Sequence, residues 1–181
     1  MHVITRLPRC AYAIGSTPKS VSHWLARFPG LAGAVHTASA WHGFRPAAVV
    51  KLACLTRLIK YGFWVEEAVD LLATLDPILA PHLTNGPHGS WASVRATLAD
   101  ERLTVSRDKR GLYASLSPLD GDDRGDALHG ADRLVLDLAA IAAACNDRLS
   151  EVVIPDTGVP EPAKPANDPQ PNTKGFAPWL T

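Results

Sequence analysis

Along the first 80 positions apolar residues recur at helical spacing, in stretches cut by glycine and proline. The Thr5 hydroxyl suits a helix N-cap and Pro8 falls in the first turn, so a short first helix is expected from Thr5 until Gly15 breaks it. Thr17-Pro18 restarts the chain as a helix, with Thr17 as N-cap, Pro18 at the first helical position, and Val21, Trp24, Leu25 and Phe28 on one face. Pro29-Gly30 ends it. Leu31 to Arg45 is rich in Ala, Gly, Thr and Ser with scattered Val35, Trp41 and Phe44, the composition of a loop or weak hairpin. Pro46 opens a third helix, in which Val49, Leu52, Ala53, Leu55, Thr56 and Ile59 form a wide apolar stripe and Lys51, Arg57 and Lys60 mark the other side. Tyr61-Gly62 closes it. A fourth helix follows, with Glu66, Glu67 and Asp70 near its positive end and Val65, Ala68, Val69, Leu72 and Leu75 inward, stopping by Asp76-Pro77.

Beyond this the pattern changes. The stretch PHLTNGPHGS, residues 81–90, has linker composition. Trp91, Val94, Arg95 and Leu98 suggest a short helix. Leu103 and Val105, then Leu112, Ala114 and Leu116, alternate with polar residues on either side of RDKRG at 107–111, which predicts a hairpin. GDDRGD at 121–126 reads as a solvated loop. From Asp132 to Leu149 a helix is expected, with Leu134, Leu138, Ile141, Cys145 and Leu149 at near-heptad spacing, backed by Val135 and Ala142. Being apolar on more than one side, it is either a buried core helix or a subunit interface. Seven of the 27 residues from Pro155 onward are proline, and a disordered tail is expected there.

The fold class expected from these patterns is mainly α. It comprises an N-terminal winged helix-turn-helix over 1–80, a linker over 81–90, a small α+β or helical oligomerisation unit over 91–153, and a disordered Pro-rich tail over 154–181.

Composition adds one strong constraint. The chain has 181 residues, 46% hydrophobic, enough for one or two cores and too apolar for a disordered polymer. Its net charge of zero is a sum of unlike parts. Residues 1–65 contain eight Lys and Arg and no Asp or Glu, and all 18 carboxylates lie from Glu66 onward. A random solvated surface carries both signs, so such asymmetry points to a polyanion-binding end. Cys10, Cys54 and Cys145 are far apart and odd in number, as expected of buried reduced thiols. No stretch approaches the ~20 apolar residues of a membrane span. The expected location is cytoplasmic, in association with the nucleoid, without contact to a membrane.

The informative segment is Gly15-Ser16-Thr17-Pro18-Lys19-Ser20-Val21-Ser22-His23-Trp24. Gly15 permits a tight turn between two helices, Thr17 and Pro18 start the second, and Val21 and Trp24 point back onto the first. Lys19, Ser20, Ser22, His23 and Arg27 are left on the outer face, where they can donate to phosphates and base edges. The alternative is an ordinary amphipathic helix after an ordinary turn. The segment resembles the N-terminal DNA-binding domain of the MerR superfamily, whose Gly-x-Ser/Thr-Pro-Lys/Arg-Thr/Ser-aliphatic-x-x-Trp/Tyr pattern Gly15 to Trp24 follow. Phe44-Arg45-Pro46 through Leu52, and Tyr61-Gly62-Phe63 followed by Val65 to Ala68, are similar to that domain's later helix pair. The resemblance covers about residues 3–75. It implies a winged helix-turn-helix with Lys19, Ser20, Ser22 and His23 facing DNA. The wing segment Leu31–Phe44 offers only His36, Trp41 and His42, and no inducer-binding role is carried over.

The sequence therefore predicts a homodimer that binds double-stranded DNA sequence-specifically in transcription control. The expected DNA-binding residues are Thr17, Lys19, Ser20, Ser22, His23 and Arg27, with Arg6, Arg9, Arg45 and Lys51 on phosphates. Alternatives are an excisionase-like or packaging accessory protein that shapes DNA for a recombination protein, and an adaptor acting on RNA polymerase, with Phe176 to Leu180 as a docking peptide. Trp41 and Phe44 are expected to pack as core beneath the following helix. His82 and His88 lack partners at metal-ligand spacing, and Asp120, Asp122, Asp123 and Asp126 lack the pattern of a calcium loop. Arg107, Lys109 and Arg110 are either solubilising charges at a hairpin tip or an auxiliary DNA contact. No catalytic motif, metal or cofactor is expected.

Overall fold

The computed structural model describes residues 5–32, 43–83, 89–108, 111–118, 127–128 and 133–151. The elements run β1 (Thr5–Arg6), α1 (Leu7–Ile14), α2 (Pro18–Arg27), a 3-10 turn (Pro29–Ala32), β2 (Gly43–Phe44), α3 (Pro46–Lys60), α4 (Val65–Leu72), a second 3-10 turn (Ala73–Leu75), α5 (Asp76–Leu83), α6 (Trp91–Thr97), β3 (Glu101–Asp108), β4 (Gly111–Pro118), β5 (Ala127–Leu128), β6 (Arg133–Asp137) and α7 (Leu138–Glu151).

The described residues form two antiparallel sheets, β1 with β2 and the four-stranded order β4-β3-β6-β5, and this overturns the mainly α class expected from sequence. The expectation failed at residues 133–137. Their apolar run Leu134-Val135-Leu136, expected as the first turns of the last helix, is buried in β6, which pairs with β3 from Arg102↔Asp137 to Ser106↔Arg133. A short run buried on both faces of a sheet has no period of its own, so spacing cannot separate it from a buried helix. The helix starts at Leu138, six residues later than the expected Asp132. Asp137 supplies its cap, accepting a 2.8 Å hydrogen bond from the Ala140 N–H. The predicted hairpin is present, with β3 and β4 in register from Glu101↔Pro118 to Asp108↔Gly111.

A second difference concerns proline. Asp76-Pro77 does not end the helical stretch but opens α5, because a proline in a first helical turn lacks only an N–H that would be unsatisfied anyway. Pro81 to Leu83, expected in the linker, belong to α5. Within it His82 is buried, one ring nitrogen 2.9 Å from Thr97 Oγ1 and the other 3.4 Å from Ser93 Oγ, joining α5 to α6.

The centre is α3. It is apolar on every side rather than on one stripe, with Ala47, Ala48, Val49, Val50, Leu52, Cys54, Leu55 and Leu58 fully buried. Around it pack α1, α4, α5, α6 and α7, and α7 also lies on β3. One buried cluster runs from Cys10 to Leu149, so the core does not divide at 81–90. Among the described residues no helix is long and apolar enough to cross a membrane. The tail from 154, the acidic stretch 120–126, His36, Trp41, His42, His88, Lys109, Arg110 and Phe176 to Leu180 lie outside the described residues. Phe44 is core, as expected, and 1% exposed.

Candidate nucleic-acid interface

The interface candidate is built on α1, the turn and α2. Leu7–Ile14 forms a helix with Pro8 in its first turn and Cys10, Ala11, Ala13 and Ile14 buried. Its start differs from expectation. Thr5 lies in β1 opposite Phe44 and is 4% exposed, so it caps nothing. Arg6 occupies the N-cap position, without a side-chain cap.

Gly15 ends α1 in the left-handed region, φ 68° and ψ 41°. Its N–H bonds to Tyr12 O at 3.1 Å and the Ser16 N–H to Ala11 O at 2.9 Å, the paired bonds of a Schellman stop. Two residues on, Thr17 Oγ1 accepts from the Ser20 N–H at 3.1 Å and caps α2. The turn is thus fixed at both ends by residues present for backbone reasons.

On α2, Val21 alone is fully buried, with Trp24, Leu25 and Phe28 half-buried. Lys19, Ser22, His23, Ala26 and Arg27 are exposed. Those five stand at i, i+3, i+4, i+7 and i+8, one continuous face opposite the docking side. Ten residues span ~15 Å at 1.5 Å per residue, room for several base pairs' worth of donors.

The sequence-predicted residues divide into three groups. Lys19, Ser22 and His23 share the open face, and among the described residues none of them is in an ion pair. Arg6 is also exposed, on β1. Thr17, Ser20, Arg27 and Arg45 are present but partly engaged. Thr17 Oγ1 and Ser20 Oγ bond to each other at 2.9 Å. Arg27 pairs with Glu66 of α4 at 2.5 Å, both side chains about half exposed. Arg45 is half-buried at the start of α3.

Arg9 and Lys51 are turned inward. Arg9 is part-buried and donates to Leu149 O at 2.9 Å, at the end of α7. Lys51 was expected on the polar side of α3, but no polar side exists at that height. Its side chain is 4% exposed and its ammonium is bound to the Asp76 carboxylate. A buried ammonium needs a paired counter-charge, and held out of solvent against Asp76 it cannot reach a phosphate.

Two further cations reach the turn. A Cβ built on Gly15 would lie 3.3 Å from Arg148 Nη1 and 3.6 Å from Lys60 Nζ. Arg148 comes from α7, beyond the expected boundary, and also donates to Ala13 O at 3.3 Å. Lys60 was visible in the sequence as a polar residue of α3. No periodicity could bring Arg148 to the same place. No family model and no curated protein matches this chain. The functional reading therefore stands on these residues.

Beneath the turn lie Cys10 and Cys145, both buried and free. Burial pushes the Cys10 thiol up to about 12, with Cys145 adding to the shift. It pushes Cys145 up to about 11 against the opposing pull of Arg148 and Arg57. Thiols held protonated in this way are packing groups rather than nucleophiles.

α7 was the reason to expect a homodimer. Its buried residues Leu138, Ile141, Ala142, Cys145 and Leu149 are covered within the chain by α1, α3, α6 and β3, which removes that reason.

Proposed function

We propose that this protein binds double-stranded DNA in a sequence-dependent way and serves in transcription control, with α2 as the helix that enters the major groove. The observation that carries this reading is the continuous exposed face Lys19, Ser22, His23, Ala26 and Arg27 on a helix docked through one fully buried residue. A solvated surface without a polyanion partner ordinarily carries both signs of charge. Here the first 65 residues contribute no carboxylate, and Glu66 reaches only Arg27. The resemblance of Gly15 to Trp24 to MerR-superfamily helix-turn-helix segments supports the same assignment. The Schellman stop and the Thr17 cap account for Gly15 and Thr17 on backbone grounds, so these two residues orient α2.

Side-chain burial alters the expected strength of binding. With Arg9 and Lys51 turned inward and Arg27 paired, the phosphate contacts come from Lys19 and His23 on this face and from Arg6 on β1 and Arg45 at the start of α3. Neutralising three to four phosphates makes affinity fall by about 10²-fold as salt rises from 50 to 200 mM. Fluorescence anisotropy with a labelled duplex measures this. A flat response would remove the electrostatic basis of the proposal.

A further inference from the structure

Gly15 stands exposed at the turn between α1 and α2. Two cationic groups from distant parts of the chain, Lys60 at the end of α3 and Arg148 near the end of α7, converge on it at 3.6 Å and 3.3 Å from the point a Cβ would occupy. Gly15, Lys60 and Arg148 are all exposed. The α1 carbonyls explain part of this, because Arg148 donates to Ala13 O. They do not explain Lys60, which makes no hydrogen bond or ion pair among the described residues. They also leave Arg148 with donors to spare, since a guanidinium has five N–H groups. Like charges brought together repel unless an anion sits between them, and among the described residues no carboxylate pairs with either.

We infer that Lys60 and Arg148 together hold one stretch of the phosphodiester backbone of duplex DNA at the α1–α2 turn. This rests on the proposed reading of α2 and extends it to Lys60 and, across the charge division of the sequence, to Arg148. Arg148 offers a planar fork suited to a phosphate's oxygens, and Lys60 a point charge on a flexible stem. A glycine at the turn lets the backbone approach without a side chain in the way. A phosphate contact here would sit next to the first turn of α2 and fix the depth and angle at which Lys19 and His23 enter the groove. Phosphate contacts position and base contacts specify, so the pair sets affinity and register but not sequence preference.

The test is the salt dependence of binding of the full chain to a random-sequence duplex. The wild type is compared with Lys60→Gln, with Lys60→Gln/Arg148→Gln, and with the charge-conserving Lys60→Arg/Arg148→Lys. Each neutralised cation should flatten the slope of log affinity against log salt by about 0.9, so the double Gln variant loses nearly two units. The charge-conserving variant should keep the wild-type slope. Lys60→Gln removes no hydrogen bond of the described fold, so its expected loss of about one unit is independent of any cost to folding. If both Gln variants keep the wild-type slope, the phosphate contact is wrong and the assignment of α2 stands. If the wild type shows no salt-dependent duplex binding, both fall together.

Discussion

Two residues at the base of the turn report on the packing that supports it. Cys10 and Cys145 have thiols raised to about 12 and about 11 by burial. The folded chain keeps both protons in a range where the unfolded chain, with thiols near 8.5, has already released them. Over that window the folded state binds more protons, so stability falls as pH rises. The contribution is complete below about pH 8.5 and is lost as pH climbs through the folded values of about 11 and 12. Denaturant midpoints from neutral to alkaline pH should decline across this window in the wild type and less steeply in Cys10→Ala. A pH-independent midpoint would mean that these thiols are not buried as described. The burial of all three cysteines was legible from their apolar neighbours. The facing of Cys10 by Cys145 was not, because it depends on α1 meeting a helix 130 residues away in sequence.

Among single residues, Lys51 and Arg9 show where sequence reading fails. A helical projection assigns a charge to the exposed side by default, since charged residues are almost never fully buried unless paired. Whether a pair exists depends on a second element. For Lys51 that element is α5, whose first residue is Asp76 and whose proline reads as a stop in the sequence. For Arg9 the partner is a backbone carbonyl of α7, which no charge count records.

At the scale of elements, α1, the turn and α2 were the most legible part. Every device there is local. A glycine in the left-handed region, a threonine cap and a proline at the first position all act within four residues, and the sequence shows them directly. Opposite them, β6 was hidden inside an expected helix, because the strand it pairs with in full, β3, lies far back along the chain. The link between α2 and α4 makes a prediction at this scale. The Arg27–Glu66 pair is half exposed and worth little to stability, so Glu66→Gln should shift unfolding by less than ~0.5 kcal/mol. It should also release Arg27 to the proposed DNA face of α2, raising duplex affinity and steepening the salt slope by about one unit. Unchanged affinity in an anisotropy titration would place Arg27 away from the DNA.

For the whole molecule, the division of charge at Glu66 is real in sequence and is redrawn by folding. Acidic residues just past the division return to the basic segment, Glu66 to Arg27 and Asp76 to Lys51. In the other direction Arg148 crosses from the acidic remainder to the turn before α2. The result is a smaller and more local basic surface than eight unopposed cations suggested, centred on the turn and the open face of α2. The same folding joins the two halves into one core through α3 and α7, so the second half acts as the support on which the helix-turn-helix unit is mounted. On the proposed reading, a change in α7 at Arg148 would therefore reach DNA binding without passing through a separate domain.

The central claim is that α2 reads sequence through Lys19, Ser22 and His23. Its most direct test is selection from a pool of random-sequence duplexes, with the wild type beside Lys19→Ala/His23→Ala. Both substituted side chains are exposed, so the variant should unfold with the wild-type midpoint. The wild type should enrich a common sequence motif, and the variant should retain salt-dependent duplex binding without enriching one. A wild type that enriches no motif, or a variant that enriches the same one, would contradict the account.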